Sequence, residues 1–224
     1  MRHVFLFLIC RGALLGLALH LNLLREISAA ETPLPSLSMD EAIARGTTDD
    51  LERLLAADNT AINRVGSAKL TPLQQSILRR KTAAAMLLIA RGADVNLADP
   101  SGRTPLHLAV ERNDATVLAA LLERKADPVR RDRVGWTPLH HAAAKNLLPL
   151  AKILLDHGMP PNALSELGGT ALHEAAAGAG ADMVRLLLLR GTDPKVRSKQ
   201  GVTALDLALE FKNAAAIAIL EALP

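Results

Sequence analysis

The sequence predicts an all-α solenoid of about six helix-turn-helix repeats joined by short β-hairpin loops, stacked over residues 33–224. A register is the first observation behind this. Thr71-Pro72-Leu73, Thr104-Pro105-Leu106-His107, Thr137-Pro138-Leu139-His140, Thr170-Ala171-Leu172-His173 and Thr203-Ala204-Leu205 recur every 33 residues, and one more step back lands on Ser38-Met39-Asp40-Glu41. A fixed period of this length marks a repeat array. Composition is the second: 50% of the residues are hydrophobic but only 2% aromatic, with no tyrosine. A core made of Leu, Ala, Ile and Val favours helices over sheets. Third, glycines fall in phase two positions before the last four threonines, at Gly102, Gly135, Gly168 and Gly201, where a tight turn is required.

Each element has a local cause. The Thr or Ser that opens a unit accepts bonds from the free amides of a helix start, and a following proline has no amide to leave unpaired. Ser38 with Glu41 forms a capping box. A second helix follows with an apolar stripe, as in Leu51, Leu54, Leu55 and in Val184 and Leu186 to Leu189. Gly92, Gly158 and Gly191 end it as left-handed residues do. Asn59 takes that place in the first repeat and Lys125 in the third, where a positive φ costs on the order of 1 kcal/mol and predicts a weaker or distorted turn. Because no helix pair buries both its faces, the end repeats must be polar outside. Asp49, Asp50, Glu52 and Arg53 satisfy this at one end, whereas Ala214 to Leu220 is wholly apolar.

The pattern resembles the ankyrin-repeat family, whose T-P-L-H-x-A signature stands unchanged at Thr104 to Ala109 and Thr137 to Ala142, and whose Gly-Ala-Asp-Val-Asn appears at Gly92 to Asn96. The implied repeats are approximately 33–65, 66–98, 99–131, 132–164, 165–197 and 198–224. The resemblance implies a non-enzymatic scaffold that binds another protein on a concave face built from hairpin tips and first-helix ends. It also makes Thr104, His107, Thr137, His140, Thr170 and His173 structural.

Residues 1–30 read as a signal peptide: Arg2 and Arg11 in a basic leader, an apolar run from Gly12 to Leu24, and Ser28-Ala29-Ala30 for cleavage. The competing reading is an uncleaved anchor over Val4 to Leu24, against which Arg11 counts. Cleavage leaves residues 31–224, free of cysteine, and lowers 26 basic and 23 acidic residues to 23 and 22, a net charge of +1. The basic pI is therefore no argument for nucleic acid, which needs a concentrated positive footprint. The expectation is an exported protein, periplasmic in a Gram-negative bacterium and otherwise secreted, monomeric, and with no membrane attachment once cleaved. Within the family resemblance two roles stay open: a helper of oxidative-stress defence, as in periplasmic ankyrin proteins associated with catalase, or an immunity protein that occludes a toxic effector. A membrane-anchored adaptor and a ligand-binding or enzymatic repeat protein are the alternatives.

Catalytic patterns fail in turn. His107, His140 and His173 recur one repeat apart, roughly 8–10 Å, too far for one zinc with ligands at about 2 Å. His173-Glu174 opens a zinc-protease pattern, but Ala177 stands where its second histidine belongs. His140 and His141 are adjacent and face different sides of a helix. No cofactor and no metal are expected. The surface residues expected to meet a partner are Trp136, Arg103, Arg131, Arg133, Lys145, Glu111, Arg112 and Phe211. Trp136 and Phe211 are the only aromatic residues beyond the leader, and aromatic and arginine side chains supply most interface hot spots. Arg124, Lys125, Arg130, Arg131 and Arg133 form the one strong basic stretch, which implies an acidic patch on the partner.

Overall fold

A computed structural model describes residues 37–223, so the expected signal segment, residues 1–30, lies outside the described residues. Twelve α-helices follow one another in pairs: α1 (Met39–Arg45) and α2 (Thr48–Ala57), α3 (Pro72–Leu78) and α4 (Thr82–Ala90), α5 (Pro105–Glu111) and α6 (Ala115–Glu123), α7 (Pro138–Ala144) and α8 (Leu148–Asp156), α9 (Ala171–Gly178) and α10 (Ala181–Leu189), α11 (Ala204–Glu210) and α12 (Ala214–Glu221). Odd-numbered helices pack on odd and even on even, giving two layers. The first-helix layer is the more buried. In α5 every residue from Pro105 to Val110 is buried, and Ala109, Ala142, Ala143, Ala175, Ala176 and Ala208 let successive helices approach closely. This is why the core dispenses with aromatic rings.

The expected hairpin loops are closed turns rather than strand pairs, and no strand occurs among the described residues. In the turn 99–103 the Asp99 N–H donates to the Arg103 carbonyl at 2.9 Å and the Gly102 N–H to the Asp99 carbonyl at 2.8 Å, which is too short for a ladder. The same two bonds recur at 132–136, 165–169 and 198–202. Successive turns are also tied to each other: Arg133 N–H to Ser101 O at 3.0 Å, Glu166 N–H to Gly135 O at 2.9 Å, and Lys199 N–H to Leu167 O at 2.8 Å. The tips thus form one continuous ledge.

Three residues ahead of a turn, in three of the repeats, an asparagine side-chain carbonyl receives the amide of an aspartate one repeat later. Asn63 does so for Asp94 at 2.9 Å, Asn96 for Asp127 at 2.8 Å and Asn162 for Asp193 at 2.8 Å. Between the third and fourth repeats the acceptor position is Val129 and the donor position is Pro160, which has no N–H. Neither side of that bond exists, so neither is left unsatisfied.

Two left-handed expectations had different outcomes. Lys125 adopts φ 61°, as its place in the register requires, yet its turn is not distorted: Lys125 N–H meets Leu122 O at 2.9 Å and Ala126 N–H meets Leu121 O at 3.0 Å. Asn59 is a correction. It does not have positive φ, because the Asp58 carboxylate accepts the Thr60 amide at 3.0 Å and leads the chain into a 3₁₀ turn, Asn59–Asn63. A second left-handed series between the paired helices, Arg80, Asn113, Asn146 and Lys212, was invisible to the glycine pattern. Its fifth member, Ala179, stays at φ −84°, and α9 runs on to Gly178 instead.

Lys125→Gly removes the left-handed penalty without touching a buried side chain. It should raise stability in urea denaturation by about 0.5–1 kcal/mol; a loss would show that the strain lies elsewhere.

Candidate functional site: the hairpin ledge

Every unit begins with a threonine or serine whose partner three residues on turns back to its amide. In the three central repeats that partner is histidine. The Thr104 N–H and hydroxyl converge on His107 Nδ1 at 3.2 and 2.9 Å, while Nε2 meets the Trp136 carbonyl of the next turn at 3.0 Å. His140 repeats this with Thr137 and the Gly169 carbonyl at 3.1 Å, and His173 with Thr170 and the Val202 carbonyl at 3.2 Å. Nδ1 must accept from a backbone N–H, so the proton sits on Nε2 and the ring is neutral. Burial reinforces this, lowering all three pKa values and bringing His140 to about 4. Gln74 holds the same place in the second repeat: its Oε1 accepts the Thr71 amide at 2.8 Å and its Nε2 donates to Leu97 O at 2.8 Å.

The first residue of the third and fourth turns is an aspartate with one oxygen on the turn and one turned aside. Asp132 Oδ1 accepts the Val134 and Trp136 amides, and Oδ2 lies 2.7 Å from His141 Nε2. Burial works against the Asp132 charge, but the Trp136 amide and His141 outweigh it and hold the carboxyl below its ordinary range. Asp99 does the same for Ser101 and Arg103 N–H, with its other oxygen on the Arg103 guanidinium at 2.8 Å. Trp136 is half-buried and stands edge-on to His141 with ring centres 5.0 Å apart.

His107, Asp132 and His141 bring three potential metal-ligand atoms within 4.8 Å of one another. The donor set does not fit an ion. Both His107 nitrogens are committed, Nδ1 to Thr104 and Nε2 to Trp136 O, and without them the helix cap and the inter-repeat bond are lost. Asp132 and His141 remain, already joined to each other, and two ligands do not make a structural or catalytic site.

Of the residues expected on the surface, Arg131, Arg133 and Lys145 are exposed. Arg103 is not free: its guanidinium is held by Asp99 and, at 2.7 Å, by Glu111. Arg112 is half-buried, with its Nε enclosed and unpartnered among the described residues. Phe211 is 59% exposed at the last repeat, away from Trp136 in the register.

A family model described as "Ankyrin repeats (3 copies)" matches residues 39–132 and 129–198. The chain belongs to the ankyrin-repeat family. The crystal structure of the ankyrin repeat protein EF0377 is similar, at 27% identity and TM-score 0.75, covering 83% of this chain and 97% of that one. A search of curated proteins returned no match. Ankyrin repeats are protein-interaction scaffolds, and because 607 solved chains match, the fold alone selects no partner.

Two functional-looking groups escaped the sequence reading. The Asp132–His141 pair joins residues from a turn and a helix face that the register does not bring together on paper. Glu174 was weighed only as part of a zinc motif, yet it is half-buried with its pKa raised by burial. The signal for it lay in comparing equivalent positions: Gln75, Leu108, His141, Glu174 and Leu207 follow one another at the 33-residue step.

A neutral buried histidine gives the ankyrin stack an acid limit. The folded pKa of His140, about 4, lies below its ordinary 6.5, so its contribution is complete above pH 6.5 and is lost as pH falls from there toward 4. The loss reaches about 3 kcal/mol at the lower end. His140→Gln, which copies Gln74, should keep neutral-pH stability while losing about 2–3 kcal/mol less than the unsubstituted protein between neutral pH and about pH 4. Equal acid sensitivity in urea titrations would remove His140 as the cause.

Proposed function

We propose that this ankyrin chain is a non-enzymatic protein-binding scaffold acting outside the cytoplasm, and that its partner seats on the turn ledge of the third and fourth repeats through an acidic patch. The observation that carries the reading is the distribution of charge along the ledge. On the ledge Arg103 is neutralised by Asp99 and Glu111, whereas Arg131 and Arg133 are exposed and form no ion pair among the described residues. Arg124, Lys125 and Arg130 on the approach to that turn, and Lys145 at the end of the helix that follows it, are also exposed and form none. Beside Arg133 in the turn stand Val134, 66% exposed, and the half-buried Trp136. An apolar centre with a charged rim is the usual anatomy of an interface.

Export rests on the leader, with its basic start, apolar run and small residues before Glu31. No helix among the described residues is long and apolar enough to cross a membrane. Of the two envelope roles, both use one surface to hold one protein; the ledge suits either the stress-defence helper or the immunity protein. The identity of the captured protein separates them. An N-terminus near Glu31 supports cleavage, and retention of Met1 replaces it with an anchored adaptor.

The test is affinity capture from the native cell envelope followed by measured affinities of variants. Arg131→Glu with Arg133→Glu should weaken binding by at least about tenfold, and the affinity of the unsubstituted protein should fall as salt rises. Salt-independent binding, unchanged by the double reversal, overturns the acidic-patch reading. Trp136→Ala should cost at least about tenfold in affinity and under about 1.5 kcal/mol in stability, since the ring is only half-buried and the carbonyl bonded to His107 is backbone. A loss of about 3 kcal/mol or more with unchanged affinity would make Trp136 a packing residue.

A further inference from the structure

The residue that ends each turn, just before the motif threonine, runs Leu70, Arg103, Trp136, Gly169 and Val202. Four of these five positions carry a side chain onto the ledge. Gly169 carries none, and its backbone does not demand glycine, since its φ lies outside the left-handed range. What the glycine leaves is space. A cleft of about 270 Å³ opens there, lined by Leu167, Gly169, Glu174, Gln200, Val202 and Leu207 among others, and mostly apolar in surface.

Glu174 is the one ionisable acid in that lining, and it is unmatched. It makes no hydrogen bond or ion pair among the described residues, and burial alone shifts its pKa upward, with no neighbouring cation contributing. One repeat earlier the same helix position, His141, is answered by Asp132; here Asp132 is replaced by Ser165. A half-buried carboxylate with apolar walls and no counter-ion is a costly arrangement that a cation from outside would relieve.

The third repeat shows what such a guest looks like. There the turn-ending residue is Arg103, lying on the ledge with its guanidinium on the Asp99 and Glu111 carboxylates at 2.8 and 2.7 Å. The fourth repeat shows, through Trp136, that this position holds a side chain of aromatic size. We propose that the cleft over Gly169 receives an arginine side chain of the partner protein, its stem on Leu167, Val202 and Leu207 and its guanidinium on Glu174. The positions of the two acids that hold Arg103 are filled here by Ser165 and Ala177, so Glu174 is the acid of this cleft and the cation comes from a second molecule. Arginine suits it because its weakly hydrated planar head tolerates burial beside a carboxylate.

This deepens the scaffold reading and rests on it. The partner then offers acidic groups to Arg131 and Arg133 and a basic group to Glu174, roughly 10–20 Å farther along the stack at ordinary helix spacing. Opposite charges at the two places fix the direction in which the partner lies along the ledge.

The test is an NMR titration of the isolated isotope-labelled protein with the peptide acetyl-Gly-Arg-Gly-amide. Saturable shifts confined to the cleft, around Gly169, Glu174, Gln200 and Val202, are expected, with a dissociation constant on the order of 1 mM. The citrulline peptide, equal in shape but uncharged, and the Glu174→Gln variant should each bind about tenfold more weakly or not at all. Gly169→Arg, which supplies the cation from within as Arg103 does, should abolish peptide binding. Its Cβ would meet His173 Cγ at 3.3 Å, so Glu174→Gln, which adds no bulk, carries the test if that variant does not fold. No saturable shift, equal binding of the citrulline peptide, or unchanged binding by Glu174→Gln overturns the proposal. So does spermidine binding as tightly as the peptide, which would assign the cleft to a free polyamine. With the captured partner, unchanged affinity of Glu174→Gln beside a defective Arg131→Glu/Arg133→Glu protein removes only the cleft. Failure of both variants to alter capture removes the ledge itself.

Discussion

The stack depends on one side chain per repeat making bonds in two directions. His107, His140 and His173 each close the start of their own helix and reach the carbonyl that ends the following turn. Local and long-range order are therefore satisfied by the same ring, and neither can be lost alone. Caps of this kind are ordinarily worth about 1 kcal/mol, but here the same group also pairs a buried carbonyl, whose exposure to an apolar interior without a partner costs more. Asp206 occupies the place in the last described unit and accepts the Thr203 amide at 2.8 Å.

With the framework fixed in this way, the remaining positions of each turn are free to differ, and the surface is written there. The turn-ending position changes from arginine to tryptophan to glycine to valine, and in the last three its carbonyl receives the preceding histidine ring. The first turn position changes from aspartate to serine and thereby decides whether a neighbouring cation or imidazole is answered from within. Similar backbones at four successive steps produce a neutralised arginine, a half-covered indole and an open acidic cleft.

Most of the architecture was legible because its causes are local and periodic. Thr-Pro-Leu-His at a fixed step carries the cap, the helix start and the inter-repeat ring, and Gly92, Gly158 and Gly191 announce left-handed exits that the structure places at φ 87°, 84° and 88°. Asn59 misled because a neighbouring Asp58 offered a competing local bond, which a register read one residue at a time does not weigh. The second left-handed series was hidden because arginine, asparagine and lysine occupy it rather than glycine. On the ledge, exposure was legible for Arg131, Arg133 and Lys145, but the compensation of Arg103 was not, since it depends on a guanidinium reaching two carboxylates at once. Glu174 and Asp132–His141 lay deepest, because their character comes from what equivalent positions elsewhere do not contain.

The joint between the third and fourth repeats has a further consequence. At the ledge it is fastened by the His107 ring and by the Arg133 amide, but just ahead of the turn Val129 and Pro160 supply neither half of the bond that the neighbouring joints possess. The seam under the most densely charged turns therefore lacks one tie that the seams on either side of it have, so a bound surface that shifts these two turns against each other has no such bond to break there.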